Sequence, residues 1–554
     1  MIMRSAVLAL STCLAFAQSV EQNKYILGYQ IGPDAEDVMN LTRDLEAIDK
    51  ILTKKTNQEE LGKAWSVYVN GAYSETYAFL ELDNPIEWSV PPGATLHAQA
   101  NNGQQVKVIA YGDMAEGETL FKIRYKEDQA TCNVGGLPSD MITTDGCLVT
   151  PGFLRVENYE KLLQFTYDDV QGNACEYTIA QQSFLASESW RVQRNPMNSY
   201  YDSFSKFVDF YGTPAFANLI NEAAEQQKQF QFKNGYFDFT SADEKTNSDS
   251  FQLTTSYVVL GLSVIRELEE AVLACKGECS LTGKCDETAE AIESIDDAVA
   301  FYVGHSQEEE EEGRLLYGLA NQMCKYFKTC GENGDSTEGV AKSNLDLFDL
   351  FNEMKDHLAN GKCGEARRTK NKAVNLVTLP LVQGFLFSAY RRDHEDSYPE
   401  YTKEDTAPFA AAVFPMLNAC GMEEAGTIEF DFAPGKEKHI REKLNKVVHA
   451  IEDYYYCMDI CCADIGGLWD EDKQEYHKNS APCVETRQEC IERSNLSKKE
   501  SGGEKKTAAI VILVLILLSA TIVTFLFCRR RSRNNTPSSR GQNGGVDLEG
   551  RTIT

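Results

Sequence analysis

The feature that most constrains this chain is an uncharged segment near its end. Residues 507–528 read TAAIVILVLILLSATIVTFLFC, and four arginines lie among the next five residues. At ~1.5 Å per residue such a helix crosses a ~30 Å hydrocarbon layer. A buried core helix is the alternative, but it does not account for the arginines. We therefore predict one transmembrane helix at 507–528 and a cytoplasmic tail at 529–554, because basic residues stay on the cytosolic side.

The N-terminus predicts the orientation of the remaining chain. Arg4 is followed by an apolar run and then by Ala15, Phe16 and Ala17, a pattern typical of a cleaved signal peptide at residues 1–17. A cleaved signal together with one later span gives a single-pass type I topology. The bulk of the chain is then extracellular or lumenal, at the plasma membrane or another secretory-pathway membrane. Asn40 and Asn495 are predicted N-glycosylation sites there.

Charge and cysteine content limit which partners and which cellular compartment are expected. The formal net charge is −30, which disfavours nucleic acid as a partner and favours cations. Two of the 17 cysteines, Cys13 and Cys528, lie in the signal and the span, so 15 remain outside the cytosol. Most should form disulfide bonds, and the odd number leaves one over. Local candidates are Cys132 with Cys147, a pair among Cys275, Cys279 and Cys285, and Cys324 with Cys330.

The first half of the ectodomain has a strand pattern. After a helical lead at 18–62, residues 63–187 alternate apolar and polar side chains, as where Phe121 and Ile123 alternate with Lys122 and Arg124. Such alternation is typical of half-buried strands. We predict an antiparallel β sandwich or barrel in this β-rich domain.

From about residue 200 the apolar residues recur every 3.6 positions instead of every two. This spacing predicts an all-helical domain at 200–452 with six or more helices. Residues 453–494 hold five cysteines and predict a disulfide-held, Cys-rich neck. A Ser-, Lys- and Gly-rich stalk at 495–506 leads to the membrane. The expected fold class is thus α+β multidomain. The predicted helices are 250–275, 292–305, 314–328, 343–359, 372–390 and 408–419.

The sequence lacks the short signatures of common enzymes. It contains no G-x-S-x-G, H-E-x-x-H, G-x-x-x-x-G-K-[ST] or G-x-G-x-x-G, and no two of its seven histidines stand three or four residues apart. A helical His-pair zinc site is therefore excluded. We predict that the chain is not an enzyme, although a nucleophile with distant partners stays open.

The end of the helix at 292–305 offers a metal-ligand pattern. Tyr302 and His305 are three residues apart and share a face, and Asp297 lies on the same helix. A phenolate, an imidazole and a carboxylate suit ferric iron. The alternative, which we favour from the sequence, is that Tyr302 is a core aromatic and His305 a partner of the helix dipole.

A carboxylate in an apolar stripe gives the second pattern. Glu269 falls between Ile265 and Val272 on the inward face of the helix at 250–275, and a buried carboxylate must be paired or ligating. Arg266 can reach it, so an ion pair and a ligand role are about equally supported. Tyr211 could supply a further oxygen ligand, although packing is the simpler interpretation.

Six phrases resemble a known family. They are FSKFVDFYG at 204–212, DAVAFYVG at 297–304, LYGLAN at 316–321, FKTC at 327–330, LPLVQG at 379–384 and CADIGGLW at 462–469. Together they resemble a secreted or membrane-anchored algal family, abundant in diatoms, that is related to the iron-assimilation periplasmic proteins of green algae and the iron-starvation-induced phytotransferrins. The resemblance covers roughly residues 120–470.

The resemblance implies surface capture of ferric iron with carbonate, followed by endocytosis. It extends to Tyr211, Asp297, Tyr302 and His305, which stand in or beside matching phrases. The Glu-rich run after His305 departs from the family pattern.

We therefore expect a type I cell-surface protein that binds a metal cation, with ferric iron and carbonate as first candidates. The proposed metal ligands are Tyr211, Glu269, Asp297, Tyr302 and His305, and Arg266 is the proposed anion partner. The rival interpretation is an adhesion or recognition receptor whose β domain binds the ligand. An ectoenzyme is a third.

Overall fold

A computed structural model describes the chain between residues 25 and 490, with gaps. The described ranges are 25–32, 35–54, 56–74, 77–110, 114–125, 146–157, 162–168, 178–180, 202–240, 242–275, 287–304, 315–393, 406–422, 448–449, 451–478, 480–485 and 489–490. The chain divides into two compact units, Met1–Arg487 and Gln488–Thr554. The predicted signal peptide, stalk, span and tail, and also His305 and Asn495, lie outside the described residues.

The described chain begins with a short hairpin and two helices. These are β1 Tyr25–Ile26, β2 Tyr29–Gln30, α1 Glu36–Lys54 and α2 Gln58–Asn70. The side chain of Asn57 accepts a hydrogen bond from the Glu60 N–H and so caps α2. Because α2 continues to Asn70, residues 63–70 are helical rather than part of the β domain. Apolar side chains of both helices join the core of the later helices.

Asp44 of α1 organises the connection that follows α2. Its buried carboxylate accepts backbone N–H groups of Ala72 and Tyr73, at 2.9 and 2.6 Å, and of Ser74. Burial raises the pKa of Asp44, while the hydrogen bonds from Ser74, Tyr73 and Ala72 act to lower it. One carboxylate thus fixes the chain where it leaves the helices for the sheet.

The β-rich domain is a closed six-stranded barrel. Its strands are β3 Tyr77–Leu82, β4 Thr95–Gln99, β5 Gln105–Ala110, β6 Leu120–Tyr125, β7 Gly152–Val156 and β8 Leu162–Asp168, in the order β3-β6-β5-β4-β7-β8. All pairs are antiparallel, and β3 closes the barrel against β8, with Leu82 opposite Phe165. Phe121 and Ile123 point into a separate apolar core, as their alternation predicts. Of the two predicted arrangements, a sandwich or a barrel, the structure shows the barrel.

The helical region contains ten α-helices of four or more residues in the described ranges from 202 onward, a π-helix and two hairpins. They are α3 Asp202–Tyr211, α4 Phe216–Glu225, β9 Gln229–Phe232, β10 Gly235–Asp238, α5 Glu244–Leu253, the π-helix Thr254–Val259, α6 Leu260–Ala274, α7 Glu287–Val303, α8 Leu316–Phe327, α9 Lys342–Ala359, α10 Cys363–Asp393, α11 Thr406–Ala419, α12 Cys462–Ile465, β11 Trp469–Asp470 and β12 Glu475–Tyr476. α6 packs against α7 and α10 and is buried on nearly every side. The prediction of an α+β chain is confirmed at this level.

Disulfide bonds tie these helices together. All eleven cysteines in the described residues are disulfide-bonded. The Cys324–Cys330 bond confirms the local prediction. Of the three local candidates in one loop, Cys275 bonds to Cys363 at the start of α10, and Cys279 and Cys285 lie outside the described residues. A loop cysteine at the end of one helix meets the neighbouring helix more readily than it meets its own loop when the two helices pack side by side.

The Cys-rich neck is attached to the helices rather than independent of them. Cys457 bonds to Cys420, just after α11, and Cys462 bonds to Cys483. The first of these bonds anchors the start of the neck to the helical core.

Among the described helices, one is long and apolar enough to cross a membrane. It is the Cys363–Arg391 part of α10, and 78% of its most apolar window is buried inside the protein. That burial is typical of a core helix, which passes the same test of length and composition.

Candidate functional site

A group of charged side chains, several of them buried, lies where α6 and α7 pack together. The guanidinium of Arg266 donates a hydrogen bond to the carboxylate of Glu267, and both side chains are largely buried. Asp297 of α7 is half-buried beside them, and Glu293 and Glu270 act on the same group of charges. Carboxylates outnumber the guanidinium in this acidic cluster, which comprises Glu267, Glu293, Asp297 and Arg266.

Glu267 and Asp297 of the acidic cluster hold protons more tightly than ordinary carboxyl groups do. Burial raises the pKa of Glu267 to about 8; Arg266 acts to lower it, and Glu270 and Glu293 act to raise it. Burial also raises the pKa of Asp297 well above its ordinary value, with further increases from Glu267 and Glu293 and an opposing effect of Arg266. Desolvation penalises the charged carboxylates, and one cation nearby does not offset it. A multivalent cation at this place would relieve the same repulsion.

Asp296, next in sequence to Asp297, has a structural role. It accepts hydrogen bonds from the Tyr29 hydroxyl and the Lys355 ammonium, both at 2.6 Å. Lys355 also donates to the Gln30 carbonyl. Gly32 packs closely against this carboxylate: a Cβ there would lie 2.5 Å from Asp296 Oδ2, so Asp296 would have to move. Asp296 therefore fastens the N-terminal hairpin to α7 and α9.

Glu269 lies in a buried ion pair. Lys370 of α10 donates to Glu269 Oε1 at 3.2 Å, and the two side chains are 10% and 1% exposed. The sequence offered Arg266 as the partner, whereas the structure pairs Arg266 with Glu267 and Glu269 with Lys370. The carboxylate in the apolar stripe thus links α6 to α10.

Tyr302 is fully buried, and its hydroxyl donates to Asn344 Oδ1 at 2.6 Å. The Asn344 amide donates in turn to Asn321 and to the Tyr317 carbonyl. Burial, with a smaller contribution from Tyr317, raises the pKa of Tyr302, so the neutral phenol is favoured. The ring packs edge-on to Phe351. These are the contacts of a core tyrosine that joins α7 to α9.

Tyr211 donates a hydrogen bond to a carbonyl that a proline leaves without its helical donor. Pro415 lies inside α11 and has no N–H, so the carbonyl of Ala411, four residues earlier, lacks its helical donor. The Tyr211 hydroxyl donates to that carbonyl at 2.9 Å. Its ring stacks on Phe216, with centroids 4.7 Å apart. Tyr211 thereby joins α3 to α11.

Of the six residues proposed from the sequence for metal and anion binding, the structure brings Arg266 and Asp297 together in the acidic cluster. Glu269, Tyr211 and Tyr302 contact different neighbours, and His305 lies outside the described residues. Within the part of the chain that is described, no group of three or more His, Cys, Asp or Glu side chains is arranged to hold a metal ion. Asn40 lies in α1.

Sequence reasoning missed Glu267, Asp296 and Lys370. The apolar periodicity of a helix predicts a single inward face. Helix α6, however, is surrounded by neighbouring helices, so it also buries Glu267 on another face. Two consecutive aspartates within the apolar run of α7 were an available signal, since one of them must face inward. Lys370 is 101 residues from Glu269, and no local pattern could connect them.

The chain was compared with protein-family models, curated proteins and solved structures, and none of them matches.

Proposed function

We propose that this chain is a single-pass type I protein of the cell surface that binds a metal cation for uptake. Ferric iron, with carbonate as accompanying anion, is the first candidate ligand. The observation that carries the proposal is the acidic cluster, in which buried Glu267 and half-buried Asp297 lie beside one guanidinium, that of Arg266. The disulfide bonds of the described cysteines are consistent with an oxidising compartment.

Asp297 is the central ligand in this proposal. It is half-buried, so an ion can approach it. The neighbouring Glu267 and Glu293 carry oxygens of the type that a hard trivalent ion prefers, but both would have to turn toward the ion, because Glu267 is now bonded to Arg266 and the three carboxyl groups are not arranged as a metal site. Arg266 supports the anion, because a guanidinium binds planar carbonate through two parallel hydrogen bonds. Tyr211, Glu269 and Tyr302 remain candidate ligands, but each would first have to leave its present hydrogen-bond partner.

The proton affinity of the cluster gives the proposal a pH dependence. A metal binds the deprotonated carboxylates, so each bound ion displaces protons from groups with a raised pKa. We expect affinity to fall as pH drops, which would permit release in an acidic vesicle.

The test uses the full chain in detergent micelles with its disulfides intact. Equilibrium dialysis against ferric nitrilotriacetate, with and without bicarbonate, measures the ion bound at pH 7.5 and pH 5.5. Asp297→Asn should lower affinity at least tenfold, and Asp349→Asn, an exposed aspartate of α9, should leave it unchanged. Tyr302→Phe asks separately whether the phenol is a ligand.

Thermal unfolding of Asp297→Asn distinguishes loss of a ligand from loss of the fold. Removing one of several mutually repelling carboxyl groups should raise the thermal stability, so binding and stability are expected to change in opposite directions. Equal ferric binding by the parent and by Asp297→Asn would refute the site. Unchanged binding by Tyr302→Phe would remove only Tyr302 from the ligand set.

A recognition receptor is the second candidate function, and the barrel favours it. Phe153 and Leu162, on the paired strands β7 and β8, are 54% and 59% exposed on its outer wall. Interaction surfaces are marked by contiguous apolar patches, and these two neighbouring side chains would belong to such a patch. If recognition is the role of the protein, cells that display it should adhere to cells that carry its ligand. Phe153→Ser together with Leu162→Ser should abolish this adhesion and leave ferric binding intact.

The membrane topology has its own test. On intact cells an epitope after residue 528 should resist added protease, whereas the ectodomain should be digested. Loss of the epitope under these conditions would exclude the type I topology.

A further inference from the structure

A cavity of about 110 Å³ lies between the loop that follows α8, the first turns of α9, the middle of α10, and α12. It is separate from the acidic cluster, which lies between α6 and α7. The polar residues that line it are Thr329, Asn333, Lys342, Ser343, Asp346 and Asp464. Leu376, Leu379 and Ala463 supply apolar walls.

The walls of this cavity are held by bonds between distant parts of the chain. The Gln383 amide, buried in α10, donates to the Thr329 hydroxyl at 3.2 Å and to the Ile465 carbonyl at 2.9 Å. The Cys324–Cys330 bond fixes the chain just before and after Thr329, and the Cys462–Cys483 bond fixes α12. The cavity is therefore largely preformed, as small-molecule sites usually are.

The lining presents both signs of charge over an apolar floor. Lys342 and Asp346, one turn apart on α9, form an ion pair whose side chains are 19% and 26% exposed. Asp464 adds a second carboxylate from α12. The lining thus presents carboxylates and an ammonium together, so a ligand that carries both signs of charge is favoured over a simple anion. The leucines of α10 exclude water from the opposite side.

We propose that this cavity binds a small zwitterion of the α-amino acid class. The ligand ammonium meets the carboxylates of Asp464 and Asp346, its carboxylate meets the ammonium of Lys342, and its side chain contacts Leu376 and Leu379. A cavity of about 150 Å³ holds one benzene molecule, so about 110 Å³ limits the ligand to the smaller amino acids. This proposal does not depend on metal binding at the acidic cluster.

A ligand series on the full chain in detergent micelles tests the charge requirement. L-Alanine is compared by isothermal titration with ethylamine, which keeps only the ammonium, and with propanoate, which keeps only the carboxylate. Each truncated compound should bind about tenfold to a hundredfold more weakly than L-alanine, because one charge-assisted hydrogen-bonding group is lost. L-Phenylalanine should not bind, because the cavity is too small.

Two variants then locate the binding. Ala463→Leu fills the cavity without altering any charge and should abolish L-alanine binding. Lys342→Met removes the partner of the ligand carboxylate and should weaken L-alanine about tenfold or more, while it leaves ethylamine almost unchanged. Lys362→Met is the matched control, since Lys362 is exposed beyond the other end of α9 and should not affect either compound.

The proposal is overturned if L-alanine does not bind the parent chain, or if ethylamine or propanoate binds as tightly as L-alanine. It is also overturned if Ala463→Leu binds L-alanine as the parent does. Thermal unfolding of each variant checks that it is folded. If both variants fail to fold, the ligand series on the parent chain still decides the question.

Discussion

The buried pair of Glu269 and Lys370 gives the sharpest test of how the helical core is held together. Lys370→Met keeps the length of the side chain and removes its charge, so the nearly inaccessible carboxylate of Glu269 loses its cation. Removing one partner of a buried ion pair costs about 3–5 kcal/mol, because an uncompensated charge remains in a medium of low polarity. The second change, Glu269→Leu, should restore most of the loss, since an apolar pair of similar volume is often as stable as the ions.

The expected thermal shift follows from the number of residues that unfold together, taken as the whole compact unit that contains the pair. The unit ends at Arg487, and at ~2.1 cal/mol/K per residue its unfolding entropy is about 1 kcal/mol/K. A loss of 3–5 kcal/mol then lowers Tm by about 3–5 °C. Differential scanning calorimetry of the full chain at pH 7.5, with one fixed scan rate, measures it.

Lys372→Met is the matched control, because Lys372 is exposed two residues further along α10. It should shift Tm by less than about 1 °C, as surface substitutions usually do. The reasoning is refuted if Lys370→Met and Lys372→Met have the same Tm, or if the double variant with Glu269→Leu is as unstable as Lys370→Met alone.

Three further predictions concern single side chains. Burial raises the pKa of Glu267 from 4.5 to about 8, so between these pH values the folded chain keeps a proton that the unfolded chain has lost. Stability should therefore fall as pH rises through that window, by up to about 5 kcal/mol. In calorimetry at pH 5.5 and 8, Glu267→Gln should flatten this dependence, and parallel profiles of variant and parent would contradict it. Asp44→Ala removes the acceptor of several backbone N–H groups and should cost about 2–3 kcal/mol, seen as faster protease cleavage between α2 and β3. Tyr302→Phe deprives buried Asn344 of a donor and should cost about 1–2 kcal/mol in calorimetry, whereas Tyr73→Phe, at an exposed tyrosine, should be neutral.

The regular elements could be predicted because their signals are local. The predicted helix at 343–359 is observed as Lys342–Ala359, and that at 408–419 as Thr406–Ala419. The alternation around Phe121 and Ile123 gave the inward face of β6 correctly. Closure of the barrel is different, because it depends on the pairing of Leu82 with Phe165, far apart in sequence. Alternation reports burial on one face and carries no information on which strand is the neighbour.

The candidate site could be predicted less well, and the reason is geometric. A tyrosine with a capped hydroxyl and a tyrosine that ligates a metal have the same sequence pattern, so the role of Tyr302 depends on Asn344, which comes from another helix. Likewise, the requirement that Glu269 have a partner followed from its position, while the identity of Lys370 did not. Sequence shows that a buried polar group needs a partner; the packing of distant helices decides which residue it is.

The acidic cluster also differs in kind from the other buried charges of this core. Asp296 has Lys355 and Tyr29, and Glu269 has Lys370, so each of these carboxylates has a cation beside it and fixes one helix against another. Glu267 and Asp297 share the influence of one guanidinium and repel each other. In that arrangement ionisation costs stability, and a proton or a multivalent cation restores it. Packing elsewhere in the core must therefore stabilise the fold against this repulsion. A cation at the cluster would gain the free energy of relieving it, which is why we assign the proposed ion to Asp297 rather than to the tyrosines.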